Sequence, residues 1–130
     1  MTINEAIVAV DGQKPNAYDE NTKAAWISQL DGRIFLEVMH GRMVCPCCGQ
    51  PITTWAGYTF PEDGDRPLLA AAPYDNLYVL YLMAMIDFAN REYGNYQNSM
   101  TMFNTAYGEF AAQWQRTHLP PSAANYSNVL

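Results

Sequence analysis

The chain has 130 residues, a length that fits one domain with a core of its own. Its net charge of −6, from 7 Lys and Arg against 13 Asp and Glu, argues against nucleic-acid binding and against docking on anionic membranes, because both need clustered basic side chains. Charged residues make up only 15% of the chain and hydrophobic residues 49%, so we expect part of the surface to face other proteins, although a tyrosine-rich monomer core would also account for the composition.

Signals for export or membrane insertion are missing from the sequence. Met1 to Glu5 lack the basic stretch of a signal peptide, and no apolar run reaches the ~20 residues that cross a bilayer. All three cysteines lie within 45–48, which does not resemble a disulfide framework. We therefore expect an intracellular, reducing setting.

The first predicted helix follows Thr2. Thr2 and Glu5 have the spacing of a capping box, in which the Thr hydroxyl accepts a hydrogen bond from the first turn. The pair Asp11-Gly12 is expected to end the helix. Residues that share its apolar face are Ile3, Ile7 and Val10.

The second predicted helix begins near Asp19 or Asn21 and ends at about His40. Its apolar residues recur every four positions and are Trp26, Leu30, Ile34 and Val38. The pattern then breaks over 42–66, where Pro and Gly are frequent and Ile52–Trp55 would suit a small hairpin. A loop of this length is usually functional, or ordered by a partner or a metal.

Two longer helices are predicted in the C-terminal half. The third begins near Asp75 and is expected to end at Gly94, and the fourth runs from Asn95 or Ser99 to about Arg116. The third is apolar around most of its circumference, with one face formed by Leu77, Leu80, Tyr81, Ala84 and Phe88. The fourth has a 4-3-4-3-4 seam that suits an antiparallel neighbour, formed by Tyr96, Met100, Phe103, Tyr107, Phe110 and Trp114.

These elements predict an all-α protein: a bundle of about four helices over 1–117 with an inserted cysteine-containing loop at 42–66, and an extended tail at 118–130. Two strongly apolar C-terminal helices offer more hydrophobic perimeter than one small bundle hides. We therefore predict a homo-oligomer. Its subunit contacts are expected on the outer faces of these helices, at Tyr78, Leu82, Met85, Tyr93 and Met102.

The segment Cys-Pro-Cys-Cys-Gly at 45–49 is the most distinctive local motif. Cys45 and Cys48 have C-x-x-C spacing, and the C-P-x-C-G form matches a zinc knuckle. A structural zinc site needs four ligands, and only His40 and Cys47 are near enough in sequence to complete one, although Cys47 is expected to strain the turn if it reaches the same ion. A cysteine-rich solvent loop without metal is the alternative.

Patterns typical of a catalytic site are missing. A Cys/His pair at His40 and the cysteines would suit a small hydrolase, but nothing around them favours an activated nucleophile. The acidic run Glu62–Asp65 lacks the later ligands of a calcium loop, and phosphate-binding glycine motifs are absent. We predict that the protein is not an enzyme and has no cofactor, apart from zinc if the cysteines bind it.

The segment 118–130 is apolar and carries no Asp, Glu, Lys or Arg. Apolar anchors in an extended strand suit addition to another protein's groove or sheet edge, and a disordered end is the alternative. The predicted anchors are Leu119, Pro120, Tyr126, Val129 and Leu130.

Several segments resemble the small helical head-to-tail connector, or adaptor, proteins of tailed bacteriophages. The resemblance is carried by Tyr-Asp-Asn-Leu-Tyr at 74–78 and by Asp-Phe-Ala-Asn-Arg-Glu-Tyr-Gly-Asn-Tyr-Gln-Asn-Ser-Met at 87–100. It extends from the N-terminus to about Pro120, and the cysteine loop departs from the family pattern. Other stretches that fit the same outline are Asn4–Ala6, Lys14–Asn16 and Leu30–Ile34.

The resemblance implies a structural protein of the virion neck, made in the host cytoplasm. Such adaptors form a homo-oligomeric ring, of roughly 12 subunits, beneath the portal protein of the DNA-filled head. The ring extends the channel for genome ejection and presents a platform for the next neck (stopper) or tail protein. Residues 118–130 match the segment that reaches the portal protein. An acidic lumen would let DNA slide without sequence-specific binding.

The alternative from another class is a zinc-binding regulatory module. His40-x4-Cys45-x2-Cys48 is one residue longer than the H-x3-C-x2-C of zinc anti-sigma proteins, which are also small helical bundles. The additional residue breaks the one-turn geometry of that motif. Zinc content together with native mass separates the two interpretations.

Overall fold

The computed structural model describes residues 1–39, 43–45 and 47–118, and within them the fold is all-helical. The helices are α1 (Ile3–Gln13), α2 (Glu20–Glu37), α3 (Asn76–Ala89) and α4 (Tyr93–Thr117). A short connection at 90–92 turns the chain, so that α3 and α4 pack against each other as an antiparallel pair. The predicted all-α bundle of about four helices is confirmed. Among the described helices, none has both the length and the apolar character that a bilayer crossing needs.

α1 begins where the sequence predicts. The hydroxyl of Thr2 accepts a hydrogen bond from the backbone N–H of Glu5 at 3.2 Å, which satisfies one free donor of the first turn. The helix continues through Asp11-Gly12 to Gln13, so the predicted end is slightly too early. Its core face is the expected one, with buried Ile3, Ile7 and Val10.

α2 begins after Asp19, whose carboxylate accepts a first-turn backbone N–H at 2.8 Å. It ends at Glu37, and His40, the predicted end, lies outside the described residues. The regular ladder ends because the N–H of Met39 donates to the carbonyl of Ile34, five residues back, at 3.1 Å. Buried apolar side chains of α2 include Ala24, Ile27, Leu30, Ile34 and Phe35.

The boundary between α3 and α4 differs from the prediction. α3 ends at Ala89 rather than Gly94, which lies inside the first turn of α4. The chain reverses at Arg91, which has a left-handed φ of 60°, and the N–H of Glu92 donates to the carbonyl of Asp87 at 2.9 Å. A glycine was expected at this C-terminal reversal, and an arginine occupies it instead.

α3 lies at the centre of the bundle and contacts α1, α2 and α4. Its buried apolar residues are Leu77, Tyr78, Val79, Leu82, Ala84 and Ile86. The prediction that Tyr78 and Leu82 lie on an outer face available to other subunits is therefore wrong, because both side chains are fully buried inside the chain. Phe88, predicted on the core face, is 52% exposed.

α4 packs through the predicted seam. Three of its seam residues, Phe103, Phe110 and Trp114, are buried. The other three, Tyr96, Met100 and Tyr107, are half-buried, and Met100 and Tyr107 pack against the core. Burial is confined to this side, so the opposite side of a 25-residue helix faces outward.

The segment between α2 and α3 is held on the helices by a buried carboxylate, Asp31. The hydroxyls of Tyr58 and Tyr78 donate to its two oxygens at 2.5 Å each, and the N–H of Leu69 donates at 3.1 Å. The hydroxyl of Tyr78 in turn accepts the N–H of Ala70 at 2.8 Å. We call these five residues the Asp31 network. It joins α2, α3 and the long connecting segment at one point.

Candidate functional site

Two further buried ionisable side chains have partners within the chain. The ammonium of Lys23 lies 2.5 Å from an oxygen of Asp11. Asp87 contacts the ammonium of Lys14 and accepts a hydrogen bond from the hydroxyl of Ser99 at 2.8 Å. The hydrogen bond to Asp87 is the main reason that the pKa of Lys14 is raised. These pairs neutralise buried charge and fasten the α1–α2 link and the start of α4 to the bundle.

The cysteines lie on a small hairpin, as the composition of 42–66 allows. An isolated antiparallel bridge pairs Val44 with Pro51, and the N–H of Cys45 donates to the carbonyl of Gln50 at 2.9 Å. The N–H of Gly49 donates to the carbonyl of Cys45 at 2.8 Å. Gly49 has a φ of 71°, a conformation that a side chain disfavours, which explains the glycine after the cysteines. Backbone hydrogen bonds therefore hold both ends of the cysteine turn.

The three thiols converge. The Sγ atoms of Cys45, Cys47 and Cys48 all lie within 4.8 Å of one another. Cys45 is half-buried, and the other two are exposed. The side chain of Cys47, then its backbone N–H and the corresponding groups of Cys48, donate to Cys45 and lower its pKa to about 7. The pKa of Cys47 is raised because it is the donor.

Among the described residues, the cluster of close ligand atoms contains no histidine. His40, the predicted fourth ligand, lies outside the described residues. The ring of His118 stacks on that of Trp114, with centroids 3.9 Å apart and planes 5° apart, and its Nδ1 lies 2.9 Å from the carbonyl oxygen of Trp114. The described ligand set is therefore the three thiols.

An exposed aromatic corner lies where α3 meets α4. Tyr93, predicted as a subunit contact, is 54% exposed, and the ring centroid of Phe88 lies 6.0 Å from it. Phe88 is also 5.2 Å from Tyr96. Of the other predicted contacts, Met102 is 58% exposed and Met85 is half-buried. Phe88 was missed because its spacing also fits the core face of α3.

The outward side of α4 carries few charges and includes one line of small side chains. Only Glu109 and Arg116 are charged among its 25 residues. Four exposed residues at spacings of four, three and four define what we call the outer stripe of α4: Thr101, Thr105, Gly108 and Ala112. A Cβ added at Gly108 would meet no atom within 4 Å.

The hydroxyls on the outer stripe are already satisfied. Thr101 donates to the carbonyl of Gln97 at 2.8 Å, and Thr105 donates to the carbonyl of Thr101 at 3.1 Å. Each threonine thus uses its hydroxyl within its own helix. The stripe therefore exposes methyl groups and, at Gly108, the helix backbone. Such a surface suits close packing against another helix.

A groove of about 280 Å³ opens beside the C-terminal end of α4. Pro73 and Tyr74 line one side, and Phe110, Trp114 and His118 line the other. It therefore lies at the point where the tail begins. The predicted tail anchors lie outside the described residues: Leu119, Pro120, Tyr126, Val129 and Leu130.

No family model, curated protein or solved structure matches the chain. Function is therefore inferred from the geometry described above and from the resemblance in sequence pattern.

Proposed function

We propose that this chain is a head-to-tail adaptor, a structural protein of the virion neck in a tailed bacteriophage. It assembles as a ring beneath the portal protein, extends the DNA channel and joins the head to the tail. The outer stripe of α4 is the observation that carries the proposal. The pattern at 87–100, on which the resemblance to adaptors rests, forms the corner from which α4 starts.

The outer stripe suits a helix of a neighbouring copy. Small side chains let two helix backbones approach to the lower end of the usual separation, ~8 Å. Gly108 lowers helix stability by about 1 kcal/mol relative to Ala and fills no need within the chain, since the space beside it is open. A subunit contact gives that glycine a purpose.

The aromatic corner adds a second contact at the start of α4. Aromatic side chains are enriched in the centres of protein interfaces, where they contribute most of the binding energy. Phe88 and Tyr93 keep about half of their surface exposed in the single chain. Covering both rings with a neighbouring subunit would remove this apolar surface from water.

The portal protein is the proposed partner of the tail. Residues 118–130 leave the far end of α4, which is about 37 Å long at 1.5 Å per residue, so the tail starts well away from the aromatic corner. Subunit contacts at the aromatic corner and portal contacts of the tail can therefore form at the same time. The next neck or tail protein would bind the opposite side of the ring.

DNA passes through the proposed ring without specific binding. Of the seven basic residues, Lys14 and Lys23 are used in pairs with Asp87 and Asp11. The net charge of −6 then repels phosphate rather than holding it. A basic ring lining the lumen of the assembled protein would contradict this part of the proposal.

The test is assembly of the full chain with the portal protein of the same genome, measured by native mass and electron microscopy. Gly108→Gln places a long side chain on the outer stripe, and Gly12→Gln is the matched control, because Gly12 is also an exposed helical glycine with open space around it. Wild type and Gly12→Gln are expected to form rings on the portal. Gly108→Gln is expected to stay unassembled with an unchanged circular dichroism spectrum. Equal assembly of both variants would refute the role of the stripe.

The zinc regulatory module keeps one observation in its favour, the convergence of three thiols. It predicts a monomer that contains stoichiometric zinc and does not join the portal. The same native-mass measurement therefore separates it from the adaptor, because the regulatory module stays a monomer in the presence of the portal protein.

A further inference from the structure

We propose that Cys45, Cys47 and Cys48 form a three-thiolate site for Zn²⁺, with the fourth position of the ion left to a ligand from outside this turn. The site is independent of the adaptor proposal. Its three donor atoms come from a tetrapeptide, and the sequence motif alone indicates only the outer pair of them.

The distances fit a single ion. Zinc–sulfur bonds of about 2.3 Å in a tetrahedral arrangement place neighbouring sulfurs about 3.8 Å apart. The three Sγ atoms already lie within 4.8 Å of one another. No pair of thiols is therefore more than about 1 Å wider than the spacing that one zinc ion requires. Thiolate sulfur is also the ligand type that selects zinc over harder cations such as Mg²⁺.

The turn is held in place before any ion binds. Hydrogen bonds from Cys45 to Gln50 and from Gly49 to Cys45 fix both of its ends. Such a turn loses little conformational entropy on binding. Cys47 and Cys48 are exposed, so the ion reaches them directly from solvent.

Zinc binding replaces the thiol protons with the metal ion. Three thiols lose their protons to the solvent and form three sulfur–zinc bonds, which leaves the site with one net negative charge when the fourth ligand is water. Oxidation and reduction are not involved. The ion would stiffen the hairpin that carries Val44. The side chain of Val44 is 56% exposed, so a rigid hairpin would hold this apolar residue in a fixed position beside the bundle.

The first experiment titrates the reduced, metal-free full chain with Co²⁺ alone and then with Zn²⁺. We expect one Co²⁺ per chain, a thiolate-to-cobalt absorption band whose intensity corresponds to three sulfurs, and complete displacement by Zn²⁺. Absence of binding above that of the triple variant C45S/C47S/C48S would overturn the site.

Single variants then count the ligands. Cys45→Ser, Cys47→Ser and Cys48→Ser are each expected to weaken Zn²⁺ binding by at least about tenfold, the lower end of what loss of a residue that merely supports a ligand costs. Thr53→Ala, at a nearby exposed position, is the control and should bind as wild type does. If Cys47→Ser binds as tightly as wild type, the site has two thiolates and the proposal is wrong. Because the thiols lie outside the helical core, circular dichroism should be unchanged in every variant, which separates lost ligands from lost folding.

Discussion

Tyr78 stands at the centre of the Asp31 network, so its hydroxyl has two roles. It donates to Asp31 and accepts from the N–H of Ala70, in a region closed to water. Tyr78→Phe removes the hydrogen bond to Oδ1 of Asp31 and the one from the N–H of Ala70, and we expect it to lower the free energy of unfolding by about 2 kcal/mol. Tyr58→Phe should have a smaller effect, since Tyr58 is only half-buried and water can replace its hydroxyl. Urea denaturation measures both, and an equal loss in the two variants would contradict the argument.

Asp31 also predicts a dependence of stability on pH. Burial raises its pKa above the ordinary 3.8, although hydrogen bonds from Tyr58, Tyr78 and Leu69 oppose the shift. The folded chain therefore holds this proton more tightly than the unfolded chain does. Its stabilising contribution is complete below a pH of about 4 and is lost as the pH rises through the folded pKa.

Asp31→Asn removes that titration and leaves the other carboxylates unchanged. The free energy of unfolding of wild type, minus that of Asp31→Asn, should consequently decrease as the pH is raised from about 4 towards neutral. Urea denaturation of both proteins across this range measures the difference. A difference that stays constant, or grows with pH, would show that the folded pKa of Asp31 is not raised.

Local residue roles were predictable, and long-range ones were not. The cap at Thr2 follows from a hydroxyl three residues before a glutamate, which needs only local geometry. The role of Asp31 could not be predicted in this way. A carboxylate next to Gly32 and Arg33 is expected to be exposed to solvent. Its burial depends on Tyr78, 47 positions away, and no local pattern reveals that partner.

At the scale of elements, the four helices could be predicted from their apolar residues, and α1 and α2 also from a polar residue that caps the first turn. Their ends were less certain. The reversal between α3 and α4 uses a left-handed Arg91, and left-handed positions are usually recognised by glycine. The predicted end of α3 was therefore placed at Gly94, three residues after the actual reversal. The face of α3 was also misassigned, because a helix buried on several sides has no distinct polar stripe to fix its orientation.

Gly108 and Gly32 make a matched pair of helical glycines. Gly108→Ala should raise the free energy of unfolding of the unassembled chain by about 0.5–1 kcal/mol, since the new Cβ meets open space and the helix gains propensity. Gly32→Ala should gain less or lose stability, because its Cβ would lie 3.0 Å from the ring of Trp55. Thermal and urea denaturation compare the two. A destabilising effect of Gly108→Ala in the unassembled chain would mean that the outer stripe is already covered within it.

For the whole molecule, only some of the apolar residues predicted to face outward are exposed. Phe88, Tyr93 and Met102 are exposed, whereas Tyr78 and Leu82 are internal. A count of apolar residues cannot decide which side of a central helix meets its own bundle. The sequence names Cys47 as a possible third ligand beside Cys45 and Cys48, but how close the three thiols lie depends on a turn whose shape is set by backbone hydrogen bonds.

The tail gives a prediction at the same scale. The core among the described residues is complete by Trp114, so a chain that stops at His118 should keep its helices, with a melting temperature within about 4 °C of wild type. It should still pair through the outer stripe of α4. Binding to the portal protein should be lost, since the proposed anchors Leu119, Tyr126 and Leu130 are removed.

Replacing 119–130 with a glycine-serine segment of equal length is the matched control for tail length. That chain should fold and fail to bind the portal protein, as the truncated chain does, because length without apolar anchors offers nothing to a groove. Pull-down and mass photometry on purified portal rings distinguish the three proteins. If either variant still binds, the portal contact lies on the helical bundle itself. The apolar, uncharged side chains of the tail would then have no role in binding the portal protein.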